Sequence, residues 1–251
     1  MTDESNLTDR VQVAGAAAPR DAAPGWVVIA IDGPAASGKS STARWVAERL
    51  GFRHLDSGAL YRAATAAALR SGVPAERWSE SDVLRYAGDV ALVPRGPSFV
   101  PAVRGEPMDE ELRSAAVTQH VSRVAQMAGV RRWVNDRVRA AARGQHVVVD
   151  GRDIGTAVFP EAQLKVFLVA DPWERARRRL RQRLERRPTD AEIADETGRI
   201  VQRDARDATQ TVQAKDAVLI DTTYLTQAEQ VERIVALATV VTRRGDATSP
   251  R

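Results

Sequence analysis

The chain has 251 residues, 43% hydrophobic and 28% charged, which is enough for one large α/β domain or two small ones around a buried core. It has no cysteine, so disulfides, thiolate catalysis, iron–sulfur clusters and cysteine-ligated zinc are excluded. The formal net charge is +4. Only Lys39, Lys165 and Lys215 among the 37 basic residues are lysines.

The three histidines, His54, His120 and His146, show no metal-ligand spacing. No apolar run approaches the roughly 18–20 residues of a membrane span, and the polar, acidic start MTDESNLTDR is no signal peptide. A cytoplasmic protein without a membrane partner is expected. The positive charge is concentrated: residues 171–187 hold eight arginines and three acids, a local +5 on a remainder of −1. One basic helix on a near-neutral body differs from the broad basic face of most nucleic-acid binders, so no nucleic-acid partner is expected.

In chain order, residues 1–24 are Ala/Asp/Pro-rich and aperiodic and read as a disordered tail ending at Pro24-Gly25. WVVIAI (26–31) is the first strand. Similar apolar runs follow at 52–55, 146–150, 164–170 and 217–221. Runs without polar alternation suit strands covered on both faces, as in a parallel sheet. Helical patterns at 39–50, 58–70, 110–142, 172–186, 190–210 and 226–241 separate or follow them. This alternation predicts a doubly wound α/β fold with a five-stranded parallel sheet, whose ligands sit beyond the carboxyl ends of the strands. Residues 86–108 break the pattern with short β-like pieces punctuated by Gly and Pro, so 76–142 is predicted to be an inserted subdomain. Residues 242–251 read as a second disordered tail.

Gly33-Pro34-Ala35-Ala36-Ser37-Gly38-Lys39-Ser40 is a complete G-x-x-x-x-G-K-S between the first strand and a helix beginning near Ser41. Successive N–H groups and the helix N-terminus form a nest for phosphate oxygens. Gly33 to Ser41 are therefore assigned to ATP, with Lys39 reaching the β/γ-phosphates and the Ser40 hydroxyl ligating Mg²⁺. Asp56 and Ser57 end a short strand where a helix begins and can also serve as its N-cap. Arg62, one turn later, is by itself an ordinary solvated charge. Asp150 ends a buried apolar strand, the position that holds Mg²⁺ or its water, and Arg152 and Asp153 follow it at the carboxyl edge. Arg175, Arg177, Arg178 and Arg179 open the basic helix. They read equally as a solvated face or as a clamp on a transferring phosphoryl group.

IDGPAASGKSS, LDSGALYR and DGRDIGTAVFP together resemble the bacterial cytidylate (CMP/dCMP) kinases, over roughly 26–241. The resemblance implies a P-loop kinase of 25–241, with 76–142 as its inserted CMP-binding subdomain and 172–188 as an arginine-rich lid. It would be a monomer that uses ATP and Mg²⁺ to phosphorylate CMP or dCMP. Asp56, Ser57 and Tyr61 would frame the CMP site, and Arg62 and Arg152 would hold its phosphate. Ser122, Arg131 and Asp153 would read the cytosine edge, the carboxylate accepting from the amino group while Arg and Ser donate to N3 and O2. Arg203 and Asp207 match R-D-x-x-D, whose second aspartate contacts the ribose. Lys39, Arg152 and Arg178 would act on the transferring group. The chain departs from the family at Gln210, where a second arginine is common, and in its short loop 211–216. Another small-molecule P-loop kinase would lack the second and third motifs, and a GTPase would need an N-K-x-D, which the chain does not contain.

Overall fold

The five apolar runs become strands of one sheet in the computed structural model, which describes residues 25–246. The elements are β1 (Val28–Asp32), α1 (Lys39–Leu50), β2 (Arg53–Asp56), α2 (Ser57–Arg70), α3 (Glu80–Tyr86), β3 (Val90–Arg95), β4 (Ser98–Val103) and β5 (Glu106–Pro107). They continue with α4 (Ala115–Val124), α5 (Ala128–Ala142), β6 (Val147–Asp150), β7 (Leu164–Val169), α6 (Pro172–Arg183), α7 (Asp190–Asp207), β8 (Val218–Asp221) and α8 (Gln227–Asp246).

The strand order is β3-β4-β2-β6-β1-β7-β8, with β5 on β4, and the five predicted strands are parallel neighbours. Alternate residues of the central strands feed two cores. Ile29, Ile31, Val148, Val166 and Leu168 pack with α1 and α8 residues such as Val46 and Ile234. Val28, Ala30, Leu55, Val147 and Val149 pack with α2 and α5 residues such as Leu60 and Val134. Burial on both faces is why these runs lack polar alternation. β8 is the exception. It is the sheet edge, with Val218 and Leu219 exposed and only Ile220 buried.

Three expectations are refined. The β-like pieces of 86–108 join the main sheet: β4 lies parallel to β2 (His54↔Ser98, Leu55↔Phe99), so the sheet has eight strands rather than five. An exposed β2 edge would leave backbone donors and acceptors unpaired, and β4 pairs them. The pattern over 110–142 resolves into a 3₁₀ turn and two helices, and α7 tightens into a 3₁₀ turn at Ala208–Gln210. The helix read as ending at 241 continues through Asp246, so half of the second tail is helical. The first tail, 1–24, and residues 247–251 lie outside the described residues. Among the described residues no helix is long and apolar enough to cross a membrane.

The basic stretch is also not a row of unpaired charges. α6 and α7 form a hairpin with a small core of its own, Ala176, Leu180, Ile193 and Ile200. Acids meet its arginines: Asp204 pairs with Arg175, and Glu192 with Arg186. The buried Glu196 lies 3.0 Å from Arg179, 3.8 Å from Arg183 and 3.3 Å from Arg199. Acids of α7 thus offset much of the positive charge of this stretch.

Candidate active site

Parallel register decides which motifs meet. Ile31 and Asp56 both pair with Asp150, and Asp32 pairs with Phe167, so the three motifs end side by side at one sheet edge. Beyond that edge opens a cavity of about 630 Å³.

The glycine loop forms its floor. At Gly33 (φ 146°) a Cβ would stand 2.1 Å from the Leu168 carbonyl oxygen of β7, so only glycine lets the chain leave the strand this closely. Gly38, left-handed at φ 90°, starts α1 with no side-chain cap, which leaves the first-turn N–H groups for an anion. Ala35 to Ser41 line the cavity; Gly33 and Pro34 do not. These two turn their carbonyls to other tasks, Gly33 accepting from Arg152 (2.8 Å) and Pro34 from Lys39 Nζ (2.6 Å). Lys39 is buried, and burial together with the charge of Arg152 brings its pKa down to about 7. A counter-charge beside it, such as a phosphate, would favour its protonated form.

Ser40 Oγ donates to Asp150 Oδ2 at 2.5 Å. Both are hard oxygen donors at the foot of the phosphate nest, and among the described residues no group of three or more His, Asp or Glu side chains could hold a metal without substrate. This donor set fits Mg²⁺, which takes one or two protein oxygens and completes its shell with phosphates and water. The other Asp150 oxygen bonds His54 Nε2 (2.9 Å). Burial would lower the His54 pKa, but the hydrogen bond and charge of Asp150 outweigh it and raise it. Asp56 caps α2 through the Ala59 N–H (3.1 Å), and burial beside Asp150 pushes its pKa up to about 6.

The opposite wall carries the other expected residues, all of which line the cavity: Ser57, Tyr61, Arg62, Ser122, Arg131, Arg152, Asp153, Arg178, Arg203 and Asp207. Five of them are joined in ion pairs. Arg131 bonds Asp153 and lies 6.0 Å from the Tyr61 ring centroid. Asp207 accepts from Arg152 (3.1 Å) and lies 3.5 Å from Arg203. Arg62 is held by the Leu112 carbonyl and Thr118 Oγ1, both 3.2 Å away. Burial, then the nearby Arg203, lowers its pKa to about 10. Arg178 donates to the carbonyls of Thr222 (2.5 Å) and Thr223 (2.9 Å) behind β8, which aims α6 at the cavity. Gln210 is on the wall as well.

Sequence reasoning missed four residues. Asp32 is buried and accepts the N–H groups of Ile154 and Gly155, both at 2.8 Å, so it fixes the turn that carries Asp153. Its position at the end of an apolar strand was a usable signal. His54, Asp204 and Glu196 gave none, because their partners are distant in sequence.

A strand, a glycine loop that starts a helix, a second strand ending in a carboxylate and a ring of arginines over one cavity define a P-loop kinase. The family model described as cytidylate kinase matches residues 29–240. The chain is 44% identical over 218 residues to the cytidylate kinase of Geobacillus kaustophilus, covering 84% of this chain and 96% of that protein. It is 39% identical over 216 residues to that of Solibacter usitatus, covering 84% and 91%. It is also 43% identical over 218 residues to the bifunctional pantoate ligase/cytidylate kinase of Synechococcus sp. (strain JA-3-3Ab), covering 84% of this chain but only 40% of that protein's length. The chain belongs to the cytidylate kinase family.

Proposed function

We propose that the chain transfers the terminal phosphoryl group of ATP to the phosphate of CMP or dCMP. The observation that carries the reading is the single cavity in which the phosphate nest, Lys39 and the Arg131–Asp153 pair face one another. The nucleophile is a phosphate oxygen of the acceptor, already an anion at neutral pH, so no general base is needed. It forms a bond to the γ-phosphorus as the bond to the β,γ-bridging oxygen breaks, with ADP leaving in line. Lys39 and Arg178 neutralise the donor phosphates, and Arg62, Arg152 and Arg203 the acceptor phosphate. Ser40 and Asp150 would hold Mg²⁺, which when bound neutralises charge on the donor phosphates. Holding two polyanions in line accounts for most of the expected acceleration.

Selection of cytosine follows from Asp153. Its carboxylate accepts from the amino group, whereas uracil would set a carbonyl against it and leave it unpaired, a rejection that can reach ~10⁴-fold. Arg131 and Ser122 supply the donors for the ring N3 and O2. Asp56, Ser57 and Tyr61 frame the base, and Asp207 takes the ribose.

The site is complete within one chain, which supports a monomer acting on small molecules. The pairing of the α6 arginines with α7 acids supports the absence of a nucleic-acid partner. Substrates made inside cells fit a cytoplasmic enzyme. A coupled assay of ATP with CMP, dCMP, UMP and AMP tests the reading: CMP and dCMP should far exceed the others in kcat/KM, and equal use of AMP would overturn it.

A further inference from the structure

The phosphate loop is held from outside through both backbone polar groups at Ala35. Arg175 of α6, buried, donates through Nη1 to the Ala35 carbonyl (2.8 Å) and to Asp204 Oδ2 (2.6 Å). Asp204 of α7 turns its other oxygen, Oδ1, to the Ala35 N–H (3.2 Å). Both polar groups of one loop residue are thus taken by one arginine–carboxylate pair, in a closed ring. The next residue, Ala36, is left-handed at φ 57°, a conformation disfavoured for a non-glycine residue. Its methyl packs on the hairpin core of Ala176, Leu180, Ile193 and Ile200.

We infer that Arg175 and Asp204 are positioning residues that clamp the phosphate loop, so that the base of the α6–α7 hairpin and the loop move as one body. Neither needs to touch the substrate, and Arg175, with its charge matched by Asp204 inside the protein, is not free to serve as a phosphate ligand. The backbone is strained just where its N–H groups must point at phosphate. A carbonyl and an N–H fixed on the preceding residue hold that turn in place before substrate arrives. The same contacts give the hairpin its fixed end. Any closure over the cavity then pivots about Ala35 and carries Arg178 toward phosphates already seated in the loop.

The inference rests on the kinase reading only for its consequence in turnover, and the test separates the two. Asp204 is partly exposed, so Asp204→Asn should fold; its amide still accepts from one group but no longer carries the charge that holds Arg175. In the substrate-free protein, amide hydrogen exchange at Ala35 and Ala36 should speed up by about tenfold or more relative to the wild type, with exchange in β6 and β7 unchanged. With MgATP and CMP, kcat/KM for ATP should fall on the order of 10²-fold, while the Kd for CMP alone and the CMP/UMP preference stay within about twofold. Arg175→Met, if it folds, should show the same pattern, and the double variant should be no worse than the poorer single one. Unchanged exchange at Ala35 in Asp204→Asn would overturn the clamp even if the enzyme proves to be a CMP kinase. Equal losses for ATP and CMP would overturn it as well. The exchange measurement uses no substrate, so it decides the clamp whatever the assay says of the reaction.

Discussion

The two ends of the cavity are built from different materials. The end proposed for the phosphoryl donor is largely backbone: a loop from Gly33 to Gly38, an uncapped helix start and one buried lysine. The end proposed for the acceptor is side chain: Arg131 on Asp153, with Arg152 and Arg203 on Asp207. Backbone N–H groups are fixed by the fold and donate to any phosphate, so the end proposed for ATP would be preformed and indifferent to the base. Ion pairs can exchange partners, so an entering nucleotide phosphate and ribose can take the places that Asp207 and its arginines fill for one another. On the proposed reading, the base-selective end is also the adaptable one.

Breaking the donor end should cost most. Lys39→Met should lower kcat by on the order of 10³-fold, about 4 kcal/mol of transition-state stabilisation, because no other lysine lines the cavity. The melting temperature should hold or rise, since the variant removes a buried charge. A kcat near that of the wild type would separate Lys39 from the chemistry.

Gly33→Ala attacks the same end through the backbone. Its Cβ would meet the Leu168 carbonyl at 2.1 Å, so β7 or the loop must shift. We expect a loss of ~3 kcal/mol, read as a fall of roughly 6–12 °C in Tm at this size. An unchanged Tm would mean that the loop leaves the strand by another path.

At the acceptor end, Asp153→Asn should leave the fold and ATP use nearly intact and reduce the CMP/UMP ratio of kcat/KM by about tenfold or more, because an amide can face either base. A constant ratio would take base reading away from Asp153.

The smallest effect sharpens the electrostatic side of the comparison. Burial and Arg152 hold Lys39 near pKa 7 in the empty site. Bound phosphates favour the ammonium and raise that pKa. Above the empty-site value the lysine is mostly neutral until nucleotide arrives, so MgATP binding should take up protons at alkaline pH. Calorimetry in buffers of different ionisation enthalpy should show uptake approaching about one proton at pH 8 and shrinking as pH falls through 7. No uptake at pH 8 would mean that Lys39 is already charged in the empty site.

Much of this was legible in the chain. Gly33 to Ser40, Asp56 and Asp150 lie where strand ends and helix starts can be read locally, and the expected site residues do share one sheet edge. The Asp204–Arg175 ring, the Glu196 hub and the His54–Asp150 bond were not legible. The Arg175–Asp204, Arg179–Glu196 and His54–Asp150 contacts join residues 29, 17 and 96 positions apart, and no local pattern marks the partner. The basic helix follows the same rule. Its charges are plain in sequence, whereas the acids that cancel them lie on the next helix.

The sequence by itself determined the local chemistry: which runs become buried strands, where glycine permits a phosphate nest, and which residue types can neutralise phosphate. Tertiary structure alone decided that β4 would complete the β2 edge, that β8 would be left exposed, and which carboxylate each arginine would meet. The reason is physical. Backbone propensity and apolar periodicity act over a few residues, whereas strand pairing and ion pairing depend on distances set only when the sheet and its helices pack.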